Sequence, residues 1–164
     1  MRIFADGGCS GNPGPGAWAY IISQDAASGP QGTSGELSVD KTGSIIEEKC
    51  GFAENTTNNR MELLAVISAL EALALMQPKQ ETIEVYTDSQ YVQKGMSEWI
   101  RDWKARGWKT AAKDPVKNQD LWQRLDNLAS GFSVGWHWVK GHAGNVYNER
   151  CDALVQEAIK SLTG

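Results

Sequence analysis

Residues 2–16 read Arg-Ile-Phe-Ala-Asp-Gly-Gly-Cys-Ser-Gly-Asn-Pro-Gly-Pro-Gly. The short apolar run Ile3 to Ala5 leads directly into Asp6, and the glycine, asparagine and proline after it predict an open turn. Because Gly7 and Gly8 have no side chains, backbone can approach closely beside the Asp6 carboxylate. For a single Asp-Gly, a strand end followed by a hairpin turn is the favoured explanation, so a functional role depends on further carboxylates.

The composition is that of one globular domain, which we expect to span residues 1–164. Hydrophobic residues make up 41% and charged residues 22% of the sequence, enough for one core. The longest apolar stretch, 63–70, is shorter than a membrane span of about 20 residues, and Asp6 interrupts any signal peptide. The three cysteines are far apart, which argues against disulfides or a zinc site. We expect a cytoplasmic monomer with no membrane partner.

The net charge is −4, but a segment with the opposite sign lies at 101–117. This basic segment contains six lysines and arginines and two aspartates, a local charge of +4. Trp99, Trp103 and Trp108 lie in or beside it, and aromatic rings next to cations are suited to stacking on bases or sugars. A solvated run of charges, with Trp99 and Trp103 packed in the core, is the alternative.

Hydrophobic periodicity predicts an α/β fold, a mixed sheet with helices on both faces. A long exposed loop is predicted at 25–44, where glycine, serine and threonine dominate. A run of capping residues at 56–62 predicts the start of one helix, and Ser89 is the predicted cap of the helix that follows the fourth strand. The predicted strands are 3–5, 16–23, 45–53, 83–87 and 134–139, and the predicted helices begin at 58 and cover 90–106, 118–129 and 146–162.

Four carboxylates point toward this sheet from four separate elements. Glu62 and Asp152 each begin the apolar line of a helix, and Asp88 follows a strand where open α/β sheets bind ligands. With Asp6 they would repel one another unless cations lie between them. Oxygen ligands alone favour Mg²⁺, with Mn²⁺ as a possible substitute.

Such a cluster beside a basic, aromatic surface indicates phosphodiester hydrolysis with two metal ions. His142, between two glycines ahead of the last helix, is placed to shuttle protons; an ordinary surface or core histidine is the alternative. A metal-independent ribonuclease that pairs His137 with His142 is a rival, and its activity would survive EDTA.

Five segments together resemble type 1 ribonuclease H of the bacterial kind, in order and over nearly the whole chain. They are Asp6-Gly-Gly-Cys-Ser-Gly-Asn-Pro-Gly-Pro-Gly, Thr57-Asn-Asn-Arg-Met-Glu62, Tyr86-Thr-Asp88-Ser, Gly141-His-Ala-Gly and Asn148-Glu-Arg-Cys-Asp152.

The resemblance implies an endonuclease that cleaves the RNA strand of RNA/DNA hybrids and leaves 5′-phosphate and 3′-hydroxyl ends. It implies a five-stranded sheet whose first three strands are antiparallel, and two Mg²⁺ ions with substrate. The implied catalytic residues are the metal ligands Asp6, Glu62, Asp88 and Asp152, with His142 as a mobile histidine. The implied substrate contacts are Cys9, Asn12, Asn58 and Gln90 in the minor groove and at RNA 2′-hydroxyls, Thr57 and Asn118 at a DNA phosphate, and Trp99 and Trp103 at the DNA strand. In the basic segment we expect Arg106, Lys109, Lys113 and Lys117 to contact phosphates.

Three features depart from the family pattern. The connection at 25–44 is longer than usual, Asn55 replaces an arginine often found before the phosphate-pocket threonine, and Ala105 and Asp114 occupy positions that often carry lysine. We also expect the chain to lack the N-terminal hybrid-binding module of eukaryotic relatives. A non-catalytic hybrid-binding module is the second rival, which would be indicated by loss of a carboxylate; all four are present.

Overall fold

The computed structural model describes residues 1–24, 44–76, 82–140 and 145–164. Its centre is a five-stranded sheet with the order β3-β2-β1-β4-β5. The first three strands pair antiparallel, and β4 is parallel to both β1 and β5. The predicted mixed sheet is therefore confirmed. The strands are β1 Arg2–Cys9, β2 Gly14–Gln24, β3 Ser44–Thr56, β4 Thr82–Thr87 and β5 Ser133–Trp138.

Helices cover both faces of the sheet, as predicted. Period-two alternation sends Ile3 and Ala5 to the face that packs against α1, while Phe4 faces the core under α5. The predicted loop at 25–44 lies outside the described residues except Ser44, which begins β3. The helices are α1 Asn58–Met76, α2 Gln90–Lys94, α3 Ile100–Ala105, α4 Gln119–Ala129 and α5 Val146–Thr163, with a π-helical turn at Gly95–Trp99 between α2 and α3.

The predicted helix over 90–106 is interrupted by that π-helical turn. Gly95 is buried there, and a Cβ atom at this position would overlap the indole of Trp122. Trp122 is fully buried on α4, so the irregular turn lies where a tertiary contact requires close backbone approach.

The prediction of an open turn directly after Asp6 is wrong, because the chain there continues as a strand. Strand β1 continues past Asp6 to Cys9, and the pairing with β2 extends to Gly16. A Cβ atom at Gly7 would overlap the backbone of Met61 and Glu62. The glycine therefore keeps the strand regular and lets the beginning of α1 lie directly on it, beside Asp6.

None of the helices in the described part of the chain combines the length and apolar character needed to cross a bilayer.

Candidate active site

The four predicted carboxylates line one open pocket of about 400 Å³ at the end of the sheet. Asp6 comes from β1, Glu62 from α1, Asp88 from the residue after β4, and Asp152 from α5. One carboxylate oxygen from each of Asp6, Glu62 and Asp88 lies within 4.8 Å of the others. Asp152 shares the pocket wall but does not belong to that close group of three. We call these four residues the acidic pocket.

Burial makes the ionised form of two of these acids costly. Asp6 is 5% exposed, and burial, reinforced by the charges of Asp88 and Asp152, raises its pKa to about 9. Burial, with the charges of Asp6 and Asp88, also raises the pKa of Glu62. The backbone N–H of Gly7 hydrogen-bonds both carboxylates and opposes these shifts.

A buried oxygen of Glu62 indicates that a cation would compensate the negative charge of these carboxylates. Its Oε2 atom has no hydrogen-bond partner among the described residues, although buried acceptors are normally satisfied. A cluster of carboxyl groups with an unsatisfied buried oxygen fits divalent cations that prefer oxygen ligands. Asp6, Glu62 and Asp88 offer the shared ligand oxygens, and Asp152 lies beside them.

Backbone and side-chain hydrogen bonds hold the predicted RNA-side residues at the mouth of this pocket. The backbone N–H of Cys9 donates to Asn58 Oδ1 at 2.8 Å, and the backbone N–H of Asn58 donates to Asn12 Oδ1 at 3.2 Å. Burial raises the pKa of the Cys9 thiol, and Sγ lies 2.8 Å from the Gly11 carbonyl oxygen. Gln90 is exposed at the start of α2, two residues after Asp88.

Thr57 and Asn118 both contact Arg60, a residue that the sequence did not indicate. The backbone N–H of Arg60 donates to Thr57 Oγ1 at 3.3 Å, and its guanidinium donates to Asn118 Oδ1 at 3.2 Å. A cation in the first turn of a helix opposes the helix dipole. That unfavourable placement was the available sequence signal for Arg60.

Trp138 is a second residue that the sequence did not indicate. It ends β5, its side chain is 43% exposed, and its indole N–H donates to the backbone carbonyl of Asp88 at 3.0 Å. The contact joins residues 50 positions apart, so no local pattern could reveal it.

The two predicted DNA-side tryptophans both pack and remain accessible. Their ring centroids lie 5.9 Å apart, and Trp103 contacts buried Trp122 edge to face at 5.2 Å. Trp99 is 36% exposed. The core-packing alternative and an exposed aromatic surface are therefore both present.

The basic segment begins in α3 and continues, over 106–117, as an ordered connection between α3 and α4. Its backbone is closed by hydrogen bonds from Trp108 N–H to the Trp103 carbonyl at 2.6 Å and from Val116 N–H to the Trp108 carbonyl at 3.2 Å. The four predicted phosphate-contact side chains are exposed on it, namely Arg106, Lys109, Lys113 and Lys117.

Of the two histidines, the structure describes only His137. His142 lies outside the described residues. His137 stacks on Tyr86 at 4.8 Å and contacts Glu84, and it is not among the described residues that line the acidic pocket. The His137 contacts do not support the rival acid/base pair.

Known proteins resemble this chain over almost its full length. The RNase H family model matches residues 1–160. A ribonuclease H from Aromatoleum aromaticum is 51% identical over 99% of this chain and 92% of that protein. A ribonuclease HI from Caulobacter vibrioides is 50% identical over 98% and 93%.

Solved structures agree with the fold. LC9-RNase H1, described as a type 1 RNase H with the type 2 active-site motif, has a TM-score of 0.79 and 31% identity, covering 98% of this chain and 72% of that one. LC11-RNase H1, solved in complex with an RNA/DNA hybrid, has a TM-score of 0.71 and 22% identity over 99% of both chains.

Proposed function

The chain belongs to the ribonuclease H family, and we propose that its acidic pocket hydrolyses the RNA strand of RNA/DNA hybrids with the help of two divalent cations. The chain is accordingly a hydrolase that acts on such hybrids. The observation that carries the mechanism is the convergence of Asp6, Glu62 and Asp88 within 4.8 Å, with Asp152 on the same pocket wall.

Water attacks a phosphorus atom of the RNA strand, and the bond to the 3′-oxygen breaks. A proton moves to that oxygen, which gives a 3′-hydroxyl, and the other product carries a 5′-phosphate. Mg²⁺, or Mn²⁺ as a substitute, would supply a Lewis acid for the phosphate and a lower pKa for the attacking water. The four carboxylates would hold the cations, and we assign proton transfer to His142.

The hybrid lies across the pocket with its RNA strand at the mouth. Cys9, Asn58 and Asn12 are joined there by hydrogen bonds and offer contacts to 2′-hydroxyls, together with Gln90. We place the DNA strand against Thr57, Asn118, Trp99 and Trp103. Further phosphates contact the basic segment through Arg106, Lys109, Lys113 and Lys117.

Residues 1–164 form, in this proposal, one domain that acts as a monomer. Its two apolar cores pack on opposite faces of the same sheet. The cysteines are free, and Cys50 is exposed, which favours a reducing compartment such as the cytoplasm.

A labelled RNA/DNA hybrid tests the proposal. We expect cleavage of the RNA strand with Mg²⁺, no cleavage with EDTA, and products with 5′-phosphate ends. Double-stranded RNA and double-stranded DNA of the same sequence are the controls. Activity that persists in EDTA, or comparable cutting of either control, would contradict it.

A further inference from the structure

Arg60 connects the beginnings of two helices that are far apart in sequence. Its guanidinium donates to Asp120 at 3.1 and 2.9 Å and to Asn118 at 3.2 Å, while its backbone N–H donates to Thr57. Asn118 precedes α4 and Thr57 precedes α1. One residue therefore contacts both side chains assigned above to a DNA phosphate.

The guanidinium determines which end of the Asn118 amide faces outward. Arginine carries only donors, so the amide oxygen must face it. The amide nitrogen then donates one hydrogen to the Tyr91 hydroxyl at 3.2 Å, and that hydroxyl also accepts from Trp122 Nε1 at 2.9 Å. The second amide hydrogen has no partner among the described residues and is available to a ligand. Rotating the amide would set its nitrogen against the guanidinium, donor against donor.

We propose that Arg60 is a positioning residue that holds the Asn118 amide with its N–H toward a phosphate of the DNA strand. The inference rests on the proposed function, because the phosphate belongs to the hybrid. This role of Arg60 explains how Thr57 and Asn118 are organised in a chain where the exposed Asn55 replaces an arginine that the family often has. The guanidinium acts by orientation, since Asp120 offsets its charge.

A second ion pair between the same helices provides a matched control. Arg124 on α4 donates to both carboxylate oxygens of Glu71 on α1 at 2.8 Å. The double variants R60A/D120A and E71A/R124A each remove one interhelical ion pair and leave the net charge unchanged. They differ in whether Asn118 loses its partner.

Binding to modified hybrids separates orientation from general stability. Fluorescence anisotropy in EDTA measures affinity for hybrids that each carry one neutral methylphosphonate at a different position of the DNA strand. We expect R60A/D120A to bind the unmodified hybrid about tenfold more weakly, the size of one hydrogen bond to a charged group. At one position, the methylphosphonate should weaken binding by wild type about tenfold. It should weaken binding by R60A/D120A less than about twofold, because the contact from Asn118 to that phosphate is already lost.

E71A/R124A should follow wild type at every position. The proposal is overturned if R60A/D120A shows the wild-type pattern, or if both double variants lose affinity equally. Thermal unfolding checks that each variant is folded. If R60A/D120A does not fold, R60K replaces it, because lysine keeps the charge but loses the fork geometry of the guanidinium. In R60K, too, the modification at that one position should no longer weaken binding. Cleavage of the unmodified hybrid by wild type with Mg²⁺ keeps this test separate from a failure of the proposed function.

Discussion

The acidic pocket and the basic segment are built in opposite ways. The pocket takes one carboxylate from each of four elements, at positions 6 to 152, and sets three of them close together. The basic segment is continuous in sequence, and its lysines and arginines are exposed on α3 and on the connection that follows it. Buried charges held against their mutual repulsion should be sensitive to any single change, whereas exposed charges in water should act additively and weakly.

The largest expected effect is that of Asp88→Asn in the pocket. The change keeps the shape of the side chain but removes a charge that helps to hold the cations. We expect turnover to fall by roughly 10³-fold or more, because several kcal/mol of metal assistance are lost. Urea denaturation should show equal or higher stability, since repulsion decreases. Near-normal turnover at saturating Mg²⁺ would remove Asp88 from the site.

Replacing Arg106, Lys109, Lys113 and Lys117 together by alanine tests the other region. These residues lie away in sequence from every proposed metal ligand and are not among the residues lining the pocket, so KM should rise while kcat stays nearly unchanged. Each lost phosphate contact lowers the salt slope of affinity by about 0.9, so the slope should flatten by up to about 3 to 4. Steady-state kinetics over a range of salt concentrations measures both. If KM and the slope do not move, the basic segment is only a solvated charge run.

The raised pKa of Asp6 predicts how stability depends on pH without metal. Its folded-state pKa of about 9 exceeds the ordinary value of 3.8, so the folded protein binds this proton more tightly than the unfolded chain does. That contribution is complete below about pH 4 and is lost as the pH rises toward 9. In EDTA, the free energy of unfolding of wild type minus that of Asp6→Asn should therefore decrease over this range.

Urea denaturation at a series of pH values measures this difference. Adding Mg²⁺ should stabilise wild type most at the alkaline end, where the carboxylate is available. A difference that stays constant between pH 4 and 9 would show that neither burial nor the neighbouring acids raise the pKa of Asp6.

The smallest expected effect is that of Trp138→Phe, which keeps a ring but removes the N–H that donates to the Asp88 carbonyl. A less firmly held Asp88 should raise the Mg²⁺ concentration needed for half-maximal activity by about threefold to tenfold, the size of one ordinary hydrogen bond. Affinity for the hybrid in EDTA should be unchanged. Calorimetric Mg²⁺ binding gives an independent reading, and equal Mg²⁺ affinity in both proteins would assign Trp138 to packing alone.

Local patterns in the sequence were sufficient to find the carboxylates. Helical periodicity put Glu62 and Asp152 on the inward faces of their helices, and Asp88 followed a short predicted strand just before a helix. Each signal depends on neighbours within a few residues, so no tertiary information was needed. The same holds for the helix starts at Thr57 and Ser89, where capping hydrogen bonds are observed.

Sequence by itself predicted the order of the strands and helices along the chain, the four acids that line one pocket in the structure and the position of the basic segment. Only the tertiary structure decided that Gly7 lies in a strand, that Arg60 holds Asn118 and that Trp138 holds Asp88. Those three depend on contacts between residues about 50 or more positions apart. Hydrophobic and capping patterns report what a residue needs from its neighbours in the chain, whereas the partner of a hydrogen bond across the fold is fixed only when the helices pack on the sheet.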